Sequence, residues 1–131
     1  MIQKSRPLNF LESVVNAKHI SVETYKKNTQ PVRTPVWFVI HDELIHVITR
    51  SNTGKVKRLR NNPKIKIAKC NFFGKPIGNW VSGNAKFVTG NEFSKILDLR
   101  REKYGFMDII ARLVSKNKGD LVVFSIKIDG E

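Results

Sequence analysis

Apolar residues along this chain recur at two spacings, and the switch between them divides it into short elements. Between residues 8 and 17, Phe10, Leu11, Val14 and Val15 fall on one helical stripe, with Asn9 and Glu12 at the separation of a capping box. That predicts a short helix covering one end of a core. From 19 to 26, Ile20, Val22 and Thr24 alternate with polar neighbours as in a first strand, which the turn-prone run 27–31 closes. The β-prone runs 36–40 and 44–49 flank His41-Asp42-Glu43, a tight hairpin. Residues 55–61 read as one or two helical turns ended by Asn62-Pro63, because the residue before a proline avoids the helical region.

Two more alternating runs, 64–70 and 80–88, are joined by the glycine-bearing loop 71–78. Asn91 is placed to cap a helix carrying Phe93, Ile96 and Leu97, and Gly105 breaks it. Phe106, Ile109, Ile110, Leu113 and Val114 then recur at helical intervals. Residues 121–129 close the chain as a strand with Val122, Phe124, Ile126 and Ile128 on one face. Six strands strung as hairpins, with few helices, predict a mainly β, six-stranded antiparallel barrel with short peripheral helices. Closure of the barrel would hide its strand edges. A chain of 131 residues suits one domain over 1–131.

Composition narrows the function. The hydrophobic share of 40% and charged share of 27% fit a soluble globular protein, and no apolar run is long enough to span a membrane. The basic opening Met1-Ile2-Gln3-Lys4-Ser5-Arg6 lacks the apolar core of a secretory signal, so a cytoplasmic location is expected. The single cysteine, Cys70, forms no internal disulfide, and His19, His41 and His46 lack metal-site spacing, so no metal is expected. The net charge of +13 points to an anionic partner, either nucleic acid or an anionic cofactor. Trp37, Phe38, Phe87 and Phe124 sit in core-like runs and do not interleave with the lysines, which weighs against a nucleic-acid stacking surface.

The candidate chemistry lies in Thr49-Arg50-Ser51-Asn52-Thr53-Gly54-Lys55-Val56-Lys57, where a strand ends and a helix begins. Free amides and the dipole at a helix start attract an anion, Gly54 permits close approach and Lys55 supplies a point charge. The spacing is not that of a Walker loop. A solvated basic helix is the plain alternative. No carboxylate pair stands at a spacing that suggests shared proton chemistry, so no catalytic acid or base is expected.

With Thr49, Gly54, Lys55, Leu59, Asn62 and Pro63 in this order, the segment resembles the cofactor-phosphate run of the pyridoxamine-phosphate oxidase superfamily of split β-barrels. Pro31-Val32-Arg33-Thr34-Pro35-Val36-Trp37-Phe38-Val39, Gly78-Asn79-Trp80-Val81 and Lys103-Tyr104-Gly105 resemble its branch of F420-dependent enzymes. The resemblance implies a homodimer with two cofactor sites at its interface and a hydride-transferring oxidoreductase using coenzyme F420, or alternatively FMN. It assigns the phosphate to Thr49, Arg50, Ser51, Gly54 and Lys55, with Lys57 helping. Thr34, Pro35 and Val36 would line the ring, and Asn79 and Trp80 would approach from the facing subunit. Arg33 departs from the small hydroxyl residue of that branch, and strand alternation turns it toward solvent. Cofactor storage or sensing on the same barrel stays open beside catalysis.

Overall fold

The computed structural model describes residues 6–71 and 73–129; the basic opening Met1-Ile2-Gln3-Lys4-Ser5 lies outside them. Helix α1 (Arg6–Val14) buries Phe10, Leu11 and Val14, while Val15, just past its end, is exposed. Because the helix already runs at Arg6, Asn9 lies inside it and does not act as the cap. Strands β1 (His19–Tyr25), β2 (Pro31–Trp37), β3 (Val39–His41) and β4 (Leu44–Arg50) lead to helix α2 (Gly54–Asn61). Then come β5 (Lys64–Lys69), β6 (Val81–Val88), helices α3 (Gly90–Tyr104) and α4 (Phe106–Val114), and β7 (Leu121–Ile128).

All strands join one antiparallel sheet in the order β2-β1-β5-β6-β7-β4-β3. It has seven strands where six were expected, because the run 36–40 is not one strand. The second strand starts earlier, at Pro31, and breaks at Phe38. Its two halves become the opposite edges of the sheet, so the ladder is left open between them. One residue therefore joins the two edges, and the sheet curls to bring them together.

The break has a physical cause. The Phe38 N–H donates to the Tyr104 hydroxyl at 3.0 Å, and the Phe38 carbonyl accepts from Lys103 Nζ at 2.8 Å. Tyr104 has a single proton, which it gives to the Lys18 carbonyl. Both backbone groups of Phe38 are thus satisfied by the end of α3 and need no strand partner. The hairpin after β3 uses Asp42 and Glu43, both with positive φ (53° and 60°), between paired His41 and Leu44, as a two-residue primed turn requires.

Inside the curl, Ile20, Val22, Phe38, Ile45, Val47, Ile65, Ile67, Phe124 and Ile126 form the main core, closed by α1 and by Leu59 of α2. A second cluster, including Ile48, Ile96, Tyr104 and Val123, packs α3 on the outer face. Phe38 and Phe124 are buried and Trp37 and Phe87 half-buried, in line with their core-like runs. Gly105, at φ 57°, turns the chain from α3 into α4. No helix among the described residues is long and apolar enough to cross a membrane.

Candidate functional site

Strand β4 delivers the chain to the start of α2, and the loop between them is stitched to residues 115–120. Ser51 N–H donates to the Asp120 carbonyl (2.8 Å), Asp120 N–H donates to Ser51 Oγ (3.0 Å), and Asn52 N–H donates to the Lys118 carbonyl (2.9 Å). Arg50 completes the seam with Nε to Ser115 Oγ (3.1 Å), Nη2 to the Arg112 carbonyl (2.9 Å) and Nη1 to the Gly119 carbonyl (3.1 Å). Its guanidinium is engaged in holding the loop, and Ser51 likewise shapes the backbone. Thr49 lies half-buried in β4 opposite Val122.

The start of α2 is left open. Thr53 occupies the cap position, yet its hydroxyl donates back to the Arg50 carbonyl (2.9 Å) and caps no helix amide. The first turn carries no acid, so its leading amides keep their positive potential. Lys55 is half-buried here, and burial first, then the charges of Arg58 and Lys118, hold it below the ordinary lysine range. Arg58 is anchored through Nε to Thr24 Oγ1 (2.7 Å). A Cβ on Gly54 would meet Arg58 Nη1 at 2.6 Å, so the glycine lets the guanidinium lie against the helix start. Among the described residues no carboxylate pairs with Lys55, Arg58 or Lys118. Lys57 is exposed on the same turn. Three cations gathered at an uncapped helix end repel one another, and a bound anion would relieve that repulsion.

The segment expected to meet a ring lies on edge strand β2, with Thr34, Pro35 and Val36 opposite Val22, Ser21 and Ile20. An edge tolerates Pro35, which has no N–H to give. Pro35 and Val36 line a cleft of about 300 Å³ with His19, Trp37, Phe73 and Gly74; Thr34 is half-buried beside it in sequence. His19 Nε2 must donate to the Asn71 carbonyl (2.9 Å), since that oxygen only accepts. Asn79 and Trp80 belong to a different and larger cavity, about 750 Å³, with Phe10, Ser13 and Lys69 among its walls. Arg33 stands over the Trp80 ring, 4.7 Å from its centroid, and its Nε lies 2.8 Å from Glu23 Oε1. Its side chain is 55% exposed, so it reaches solvent as expected while also bracing Trp80. Burial alone would raise the Glu23 carboxyl, but hydrogen bonds from Tyr25 and Arg33 outweigh it and hold the group below its ordinary value.

The sequence profile described as Pyridoxamine 5'-phosphate oxidase matches residues 11–130. The chain belongs to that family. Among solved structures, a conserved hypothetical protein from Mycobacterium tuberculosis is similar at 18% identity and TM-score 0.70, over 98% of this chain and 81% of that one. The heme storage protein HutZ from Vibrio cholerae is similar at 15% identity and TM-score 0.71, over 93% of this chain and 89% of its own. An F420-H2 dependent reductase, FDR-A, is similar at 14% identity and TM-score 0.64, over 85% of this chain and 95% of its own. No curated protein is similar enough to match the chain.

Within one copy of this pyridoxamine 5'-phosphate oxidase family chain, residues 49–57 share one place, while the cleft beside Pro35 and the cavity beside Trp80 are separate. Sequence reasoning missed Lys118 as a companion of Lys55. Arg58 was legible as the residue one helical turn after Gly54. Lys118 had no local signal, because the seam along 115–120 brings it in.

Proposed function

We propose that the chain is a redox enzyme of this family that binds a flavin-type cofactor through its terminal anion, with coenzyme F420 as first choice and FMN as the alternative. The observation that carries this reading is the gathering of Lys55, Arg58 and Lys118 at the uncapped start of α2, without a carboxylate partner among the described residues. The donor set fits a phosphate: amides at a helix start, one half-buried ammonium and one anchored guanidinium. A flavin or deazaflavin ring, once bound, supplies the hydride chemistry for reducing or oxidising a small organic substrate.

The chain's own residues then bind, orient and exclude water. Lys55, Arg58 and the amides of Gly54 and Lys55 hold the anion, and Lys118 adds charge. Arg50 and Ser51 fix the loop that presents those amides. Pro35 and Val36 offer an apolar wall for the ring. In the homodimer that the family resemblance implies, Asn79 and Trp80 of the partner subunit cover the ring. The exposed cations Lys57, Arg60, Lys64 and Lys66 favour F420, whose glutamate tail extends its negative charge beyond the phosphate. Heme is a second reading, favoured by His19, which lines the cleft and bonds only through Nε2 among the described residues.

Absorbance and fluorescence titrations with F420, FMN and hemin, run side by side, test the proposal. Saturable binding of F420 or FMN, weakened by about 1.5–3 kcal/mol in Lys55→Ala, is the expected result. Affinity unchanged in that variant removes Lys55 from the site, and saturable binding of hemin alone replaces the flavin reading.

A further inference from the structure

Helix α4 faces the wrong way for a helix that covers a core. Asp108 is fully buried, with Oδ1 2.8 Å from Arg100 Nε and Oδ2 3.0 Å from Arg112 Nε. Once Asp108 and Arg112 turn inward, helical periodicity sends the apolar stripe outward. Phe106, Met107, Leu113 and Val114 are 73%, 53%, 65% and 77% exposed, and Ile109 and Ile110 are exposed beside them. Over residues 105–119 the only acid is the buried Asp108, whereas Lys116 and Lys118 are exposed. An apolar ridge is thus followed by cations, on a chain of net charge +13.

We propose that α4 docks this protein onto an anionic lipid bilayer, with its apolar ridge among the acyl chains and Lys116 at the level of the phosphates. The charge beside the ridge favours a bilayer over a second copy of the chain: Lys116 follows closely on the apolar residues, no exposed acid lies between residues 105 and 119, and the chain as a whole carries +13. A negatively charged bilayer needs no shape complementarity and attracts such a cationic surface. The proposal is independent of the cofactor reading, because the exposed ridge residues lie outside the groups assigned to the anion site.

Cosedimentation with vesicles of phosphatidylcholine, with and without about one third phosphatidylglycerol, tests it. Binding to the anionic vesicles is expected, at least about tenfold weaker on phosphatidylcholine alone and about tenfold weaker in Leu113→Asp, with a smaller loss in Lys116→Gln. Leu113 is exposed, so the variant keeps its fold, which circular dichroism verifies, and its F420 or FMN affinity stays at the parent value. Three results overturn the proposal. One is no binding to either vesicle. Another is binding to anionic vesicles that Leu113→Asp leaves intact, which marks general adsorption of a basic protein. The third is loss of a dimer in light scattering on Leu113→Asp, which makes the ridge an interface between copies.

Discussion

Trp37 and Tyr104 stack with ring centroids 4.2 Å apart and planes within 5° of parallel. The contact joins the end of an edge strand to the end of a helix 67 positions later, and the Tyr104 hydroxyl reaches past it to the backbone of Phe38 and Lys18. The pair is a clasp on the one residue that links the two sheet edges. Tyr104→Phe keeps the stack and removes the hydroxyl, leaving the Phe38 N–H and the Lys18 carbonyl unpaired. Urea denaturation is expected to show a loss of about 1–3 kcal/mol. Hydrogen exchange at the Phe38 amide should speed up at the same time, and unchanged protection there would dismiss the clasp.

Lys103 serves the same residue from a half-buried position, with its ammonium 3.6 Å from the centroid of the Phe38 ring. Burial, with a smaller effect from Lys18, pushes its pKa down to about 8. Between about 8 and the ordinary value of 10.5 the unfolded chain therefore holds more protons than the folded one, and stability gains from this group as pH rises. Below that window the folded state bears the penalty of a desolvated charge. Thermal unfolding from pH 7.5 to 9.5, below the tyrosine range, should show this upward contribution in the parent and its loss in Lys103→Met. Identical slopes in both proteins would assign the pH dependence elsewhere.

At the start of α2, Lys118 adds a like charge to Lys55 and forms no ion pair among the described residues. Its removal should leave the ligand-free protein as stable as the parent or slightly more so, because repulsion falls. Inorganic phosphate or FMN should then bind more weakly by about 0.2–1 kcal/mol, the range for an exposed charge pair. Calorimetric titration of Lys118→Gln checks both statements. A lowered melting temperature with parental affinity would make Lys118 a scaffold residue only.

The hairpin of β3 and β4 places Glu43 at φ 60°, in the left-handed region. That conformation costs a side-chain-bearing residue roughly 1–2 kcal/mol, and glycine avoids most of it at some cost in unfolded-chain entropy. Glu43→Gly is expected to stabilise the protein by about 0.5–1 kcal/mol in urea denaturation. Destabilisation would mean that Glu43 makes a contact worth more than its backbone strain.

Much of the sheet was legible because alternation marked β1, β5, β6 and β7 and a continuous β-prone run marked β4. The local chemistry of Gly54, Lys55 and the Asn62-Pro63 ending marked α2, and the same residues carried the family resemblance. The break at Phe38 was invisible, since its neighbours are as β-prone as any in the chain and the groups that end the strand belong to α3. The resemblance assigned Arg50 to the phosphate, and nothing in the sequence showed that its guanidinium has partners at 112, 115 and 119.

Helix α4 draws the dividing line. Its periodicity alone specified that Phe106, Ile109, Ile110 and Leu113 share a face, because 3.6 residues per turn is a property of the local backbone. Which way that face points was decided by Arg100, on another helix, which supplies the charge that draws Asp108 inward. Local spacing is written in the order of residues, whereas the direction of a face and the company of a cation depend on groups that only folding brings within a few ångströms.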